Sequence, residues 1–119
     1  MNVVVIGASD KPDRYSYKAI MLLQQKGHTV FAVHPRIQKI HDLNVFPSLK
    51  DITEKIDTIT LYVGADISSQ MAQDIIQAKP RRIIFNPGAE NHSLEEQAQA
   101  LGIKTILACT LVLLTTGQF

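Results

Sequence analysis

The 119-residue sequence has no tryptophan and a single cysteine, Cys109. One cysteine excludes an internal disulfide, and with no paired Cys or Cys/His spacing it leaves no structural zinc site. No apolar run reaches the roughly 18 residues needed to span a bilayer. Met1-Asn2 leads straight into an apolar strand, without the basic and apolar regions of a secretory leader, so the expected location is the cytoplasm. Charge of either sign is nearly balanced, at a formal net +1, which removes any general electrostatic attraction to nucleic acid or an anionic membrane. An anion site, if present, has to be built locally. The length fits one domain, residues 1–119, and is too short for a nucleotide domain plus a separate catalytic domain.

What is present is a repeated alternation of short apolar runs and helical periods. Val3-Val4-Val5-Ile6 reads as a strand buried on both faces, as central parallel strands are. Gly7-Ala8-Ser9 then turns the chain toward a helix over Tyr17–Lys26, stopped by Gly27. Thr29–Val33 is the second strand, ended by His34-Pro35. The stretch Arg36–Asp42 has no clear period. Leu43–Phe46 reads as a brief extended piece, and Pro47–Ile52 as a short helical turn. Thr58–Val63 is the third strand, followed by a helix capped by Asp66 and running to about Ala78. Arg82–Phe85 is the fourth strand, Asn86–His92 a polar loop, Ser93–Glu96 a capping box, and Ile103–Leu107 the fifth strand.

The alternation predicts an α/β fold, a Rossmann-like doubly wound five-stranded parallel sheet of order 3-2-1-4-5. Ligands in such sheets lie beyond the carboxyl ends of the strands at the switch point, expected here between strands one and four. The loops Gly7–Ser16 and Asn86–Asn91 should then face one another, with His34–Arg36 and Val63–Ala65 along the same rim.

The strand, small-residue loop and helix N-terminus around Gly7, Ala8 and Ser9 form an arrangement that attracts phosphate. No second or third glycine follows at G-x-G-x-x-G spacing, so an ordinary tight turn is the competing reading. Arg14 can reach a pyrophosphate, and Ser9 and Ser16 offer hydroxyls; Ser16 as a plain helix cap is the alternative. The second strand ends in His34-Pro35-Arg36 instead of the acid usual for NAD, a set that suits a ribose bearing an extra phosphate. Asn86-Pro87-Gly88 is turn-rich and permits close approach.

No catalytic residue stands out. Cys109 has no histidine nearby in sequence, His28, His41 and His92 have no evident partner, and Asp10, Asp13, Asp66 and Glu90 form no spaced pair. The apolar tail segment Leu111-Val112-Leu113-Leu114 covers a sheet edge or supplies a homodimer contact.

Taken together, Val5-Ile6-Gly7-Ala8-Ser9 with Pro12, Arg14 and Ser16, then Val33-His34-Pro35, Val45–Leu49, Asn86–Ala89 and Cys109, the chain resembles the small stand-alone CoA-binding domain proteins, relatives of the CoA-binding domain of succinyl-CoA synthetase α subunits. The resemblance covers nearly the whole chain. It implies a fold that holds CoA or acyl-CoA by its nucleotide half, with the pantetheine arm leaving the crevice. Gly7, Ala8, Ser9 and Arg14 would then meet the pyrophosphate, and His34, Pro35 and Arg36 the ribose and its 3′-phosphate. Val63 and Gly64 would border the adenine, and Asn86, Pro87 and Gly88 close the opposite wall. Asp42, where the family commonly has glycine, and the apolar Thr110–Phe119 depart from the pattern. The implied role is a non-catalytic carrier, sensor or regulatory module with a small-molecule nucleotide ligand. The alternatives are an NAD(P)-binding redox domain and a protein-interaction module with a vestigial crevice.

Overall fold

A computed structural model describes residues 1–119. Seven strands form one sheet: β1 (Asn2–Ile6), β2 (Thr29–Val33), β3 (Lys39–Ile40), β4 (Leu43–Phe46), β5 (Thr58–Leu61), β6 (Arg82–Phe85) and β7 (Lys104–Leu107). Five helices accompany them: α1 (Tyr15–Gln25), α2 (Ala65–Gln70), α3 (Ala72–Gln77), α4 (His92–Ala100) and α5 (Thr110–Thr115), with a 3-10 turn at Leu49–Asp51. The strand order is β3-β4-β2-β1-β5-β6-β7, and every pairing is parallel except the β3–β4 hairpin.

The α/β doubly wound character holds, and the five-strand order 3-2-1-4-5 does not. The strand beginning at Thr58 pairs with β1, with Val3 opposite Thr58 and Ile6 opposite Leu61, rather than with β2. Its expected place is filled by Leu43–Phe46, which sets Ala32 against Val45 and Val33 against Phe46. The short piece is thus a true sheet member, and the reversal follows it. Counted that way, the six parallel strands run in the 3-2-1-4-5-6 order of dinucleotide-binding sheets. The switch point therefore lies between β1 and β5.

Side-chain alternation along the strands explains the three layers. Val4 and Ile6 of β1, with Phe31 and Val33 of β2, enter a 16-residue core that Ile75 of α3 and Leu94 and Ala98 of α4 cover. Val3, Val5, Val30 and Ala32 enter a nine-residue core under Ile20 and Leu23 of α1 and Leu114 of α5. Strands apolar on both faces can sit only between two such layers. Helix starts differ from expectation by a few residues: Gly64 caps α2 in place of Asp66, and Asn91 caps α4 by accepting from Leu94 N–H at 3.1 Å, so the helix begins before Ser93. The expected single helix from Asp66 to Ala78 breaks at Met71 into α2 and α3. The tail forms α5 against α1, inside one layer of the fold, and Phe119 packs edge-on to His28.

Candidate functional site

At the carboxyl ends of the strands lies an open crevice of about 940 Å³, a size suited to a small-molecule ligand. Its floor is set by Gly7. The residue has φ +87°, and a Cβ there would stand 2.8 Å from Val63 Cγ1 and 3.1 Å from the Tyr62 carbonyl. Only glycine lets the turn after β1 lie this close to the end of β5. The amides of Gly7 and Ala8 donate to Val33 O at 3.2 and 3.3 Å, which fastens the turn to β2. Those two N–H groups are therefore engaged within the fold.

The amides that follow are different. Ser9 Oγ accepts from Lys11 N–H at 3.1 Å, and the first bond of α1 runs from Lys18 N–H to Arg14 O at 3.1 Å. The backbone N–H groups of Ser9, Asp10, Tyr15 and Ser16, all residues of the crevice wall, have no partner in the chain. Arg14 occupies the cap position of α1 without a side-chain cap bond, and the first turn carries no acid. Helix dipole and uncapped amides together make this wall anion-attracting, and Lys11 and Arg14 add two cations. Ser16 is second in the helix, 5% exposed, and not the helix cap.

At the end of β2, His34 N–H donates to Phe46 O at 3.1 Å, and Nδ1 accepts from the amides of Arg36 and Ile37, both at 3.1 Å. The ring holds its own loop, and in the neutral form its proton is on Nε2. His34 and Pro35 line the crevice, as do Pro47 and Ser48 after β4. Arg36 is exposed and outside the lining.

The facing wall is α2 and α3. Ile67, Met71 and Asp74 line it at a helical spacing. Because β5, not β6, adjoins β1, the loop after β6 lies one strand further from Gly7 than expected. Pro87 reaches the crevice, whereas Gly88 is exposed outside it, its amide bonded to Glu90 Oε1 at 3.0 Å. Asn86 is 2% exposed beneath it. Its Nδ2 donates to Thr60 Oγ1 at 2.7 Å and to Leu61 O at 2.8 Å, while Oδ1 accepts from Thr110 N–H at 2.8 Å. Asn86 thus ties β5, β6 and α5 together with every side-chain polar atom in use. Gly64 is likewise outside the lining.

Of the residues singled out in the sequence, the crevice brings together Gly7, Ala8, Ser9, Arg14, Ser16, His34, Pro35, Val63 and Pro87, and leaves out Arg36, Gly64, Asn86 and Gly88. Sequence reasoning missed Tyr62, Ile67, Met71 and Asp74 as lining residues. The signal available was the i, i+4 pair Ile67 and Met71 at the start of a helix leaving a carboxyl strand end. Tyr62 is distinctive: the residue lines the crevice while its hydroxyl is buried without a hydrogen-bond partner. Burial pushes its pKa up to about 12; Thr60 and Thr110 lie near enough to oppose this slightly, but neither has hydrogen-bonding geometry. The phenol therefore stays neutral at physiological pH.

The model of the CoA binding domain family matches residues 1–115. The chain belongs to that family. Within reach of it are a solved crystal structure of an uncharacterized protein, 32% identical with TM-score 0.88, covering 99% of this chain and 97% of that one. The uncharacterized protein YneT of Bacillus subtilis is 27% identical over 105 residues, 88% of this chain and 78% of the relative. The ADP-forming acetate–CoA ligase II of Archaeoglobus fulgidus is 30% identical over 78 residues, which are 64% of this chain and 12% of the ligase. This CoA-binding domain chain is thus similar to a small part of a much larger enzyme.

Proposed function

We propose that the chain binds CoA or acyl-CoA by the nucleotide half, in the crevice at the switch point, and acts as a non-catalytic carrier, sensor or regulatory module. The observation that carries this is the wall after β1, where four unpartnered amides, an uncapped helix N-terminus, Lys11 and Arg14 converge on one crevice. A diphosphate is the group such a wall fits. Family membership selects CoA among diphosphate ligands. A binding role without chemistry is supported by the side chains: the lining offers no nucleophile paired with a base, and His34 Nδ1 is engaged by its own loop. The exposed apolar face of Ile67 suits a pantetheine or acyl arm crossing the mouth.

Thermal unfolding in the presence of CoA, acetyl-CoA, NAD, NADP and ATP tests the reading. A ligand at about 100 times its dissociation constant stabilises the native state by roughly 2.7 kcal/mol, a shift of several degrees for a domain of this size. CoA and acetyl-CoA are expected to produce that shift, and Arg14→Ala to reduce it. A response to NADP alone would replace CoA with a dinucleotide. No response to any of them would leave a protein-interaction role for the crevice.

A further inference from the structure

At the opposite end of the sheet from the crevice, a second cleft of about 530 Å³ opens between the start of β1, the loop before β5 and the turn that joins α3 to β6. Its lining carries three cations, Lys55, Lys79 and Arg81, and one carboxylate, Asp57. Arg81 takes that carboxylate through Nε at 3.0 Å and Nη2 at 3.2 Å, which fixes the guanidinium and leaves Nη1 without a partner in the chain. Neither lysine pairs with a carboxylate, and Glu54, beside Lys55 in sequence, is outside the lining. With Arg81 and Asp57 offsetting each other, the two lysine charges stay uncompensated. Asn2 Nδ2 donates to Lys55 O at 2.7 Å and ties the loop to β1, while the N–H groups of Lys55 and Ile56 have no partner in the chain.

Lys79 holds its place against the backbone's preference. α1, α4 and α5 each end with the residue after the cap in the left-handed region, and that residue is glycine: Gly27 at φ +89°, Gly102 at +79° and Gly117 at +73°. α3 ends in the same way after Ala78, but there the residue is Lys79, at φ +50°. A side chain is strained in that region and glycine is not. Nor does the helix dipole require a cation at this position, since at α1 Lys26 occupies the cap and Gly27 takes the turn. The residue that departs from the pattern is one that lines the cleft.

We propose that this cleft is a second ligand site, separate from the crevice and independent of what the crevice binds, that takes a phosphate dianion, either free or as the terminal group of a small phosphomonoester. A dianion balances the two lysines, which act as point charges, and Arg81 Nη1 and the two amides supply directional donors. The volume lies within the range of small-molecule sites and leaves room beside Ile56 for the body of such a compound.

Residue-resolved NMR titration of the full chain at constant ionic strength tests this, with inorganic phosphate, ribose 5-phosphate and uncharged ribose as probes. The amide signals of Lys55, Ile56, Lys79 and Arg81 are expected to shift saturably with the two phosphates and not with ribose. Tighter binding of ribose 5-phosphate assigns the site to phosphomonoesters; equal or tighter binding of phosphate assigns it to the free anion. Lys55→Ala and Lys79→Gly should each weaken the affinity about five-fold or more, because each removes one of the two uncompensated charges. Lys79→Gly should at the same time melt at or above the wild-type temperature, the opposite sign to that of a lysine kept for stability. Absence of saturable shifts at these four amides, shifts that ribose reproduces, or an affinity that survives in both lysine variants overturns the proposal. The amides of Ser9, Asp10, Tyr15 and Ser16 follow the crevice separately, so failure of CoA to bind there leaves this test intact.

Discussion

The two ends of one sheet treat their polar groups in opposite ways. At the amino end, Arg81 holds Asp57 through Nε at 3.0 Å and Nη2 at 3.2 Å, and Asp57 accepts from Thr58 Oγ1 at 2.6 Å. Arg82, 4% exposed, donates through Nε to Thr58 Oγ1 at 2.8 Å and has its guanidinium 4.3 Å from the centre of the Phe119 ring. These groups satisfy one another. At the carboxyl end, the Tyr62 hydroxyl and the amides at the start of α1 have no such partners. A second cleft, of about 530 Å³, does open at the amino end beside Lys55, Lys79 and Arg81. Cleft volume is thus shared by both ends; unpartnered backbone amides at an uncapped helix N-terminus distinguish the carboxyl one.

The sharpest way to break that contrast is Gly7→Val. A side chain at φ +87° with Val63 2.8 Å away combines backbone strain and overpacking, an expected loss of about 3–4 kcal/mol. Thermal unfolding should show it, and any folded remainder should give no CoA response. Next is Asn86→Ala, which removes three buried hydrogen bonds and leaves Thr110 N–H unpaired, at an expected cost of about 2–3 kcal/mol. Chemical denaturation measures it. Asn86→Ala should keep ligand affinity in the surviving native fraction, because Asn86 lies below the crevice.

At the amino end, the Arg81 hydrogen bonds hold the Asp57 carboxyl below its ordinary 3.8 against the opposing effect of burial. A depressed carboxylate contributes stability that is present above the unfolded value and lost as pH falls through the folded one. Asp57→Asn should therefore destabilise near neutral pH, by under about 1 kcal/mol because Arg81 is exposed, and match wild type in strong acid. His28 is lowered too, first by desolvation and then by the neighbouring cations Met1 N and Arg82. Its contribution is complete above pH 6.5 and declines as pH drops below that value, a slope that His28→Gln should flatten in melts collected across pH 5–7. Tyr62→Phe has the smallest expected effect, within about 0.5 kcal/mol of wild type or slightly stabilising, since the lost hydroxyl had no partner. A large loss there would mean that the hydroxyl is bonded in solution and would weaken the contrast between the two ends.

Legibility in the sequence followed the range of the interactions. Val3–Ile6, Thr29–Val33 and Arg82–Phe85 announce themselves by composition, because a strand covered on both faces has to be apolar throughout. Leu43–Phe46 does not: it pairs with β2 over only two registered positions and is half-exposed, so nothing in its pattern marks it as the strand that displaces β5. That one ambiguity moved the switch point and with it the expected opposite wall. Gly7 was legible because a small-residue turn after a buried strand has few uses. Asp74 was not, because its place in the crevice depends on where α3 lies relative to β4. Asn86 stood out in sequence as a loop residue, yet the three partners that hold it, Thr60, Leu61 and Thr110, are 24 to 26 positions away.

The pairing of β1 with β5 also fixes when the site comes into being. Val3 must wait for Thr58, and the α1 helix that presents the free amides packs against α5, whose first residue is Thr110. On a ribosome adding about 5–20 residues per second, the first loop emerges seconds before the segments that hold it in shape. Parallel pairing between distant segments is also intrinsically slow. A nascent chain therefore passes through a period in which the Gly7 loop exists as sequence but not in its folded shape, and the crevice after β1 forms only once these distant segments have paired and packed.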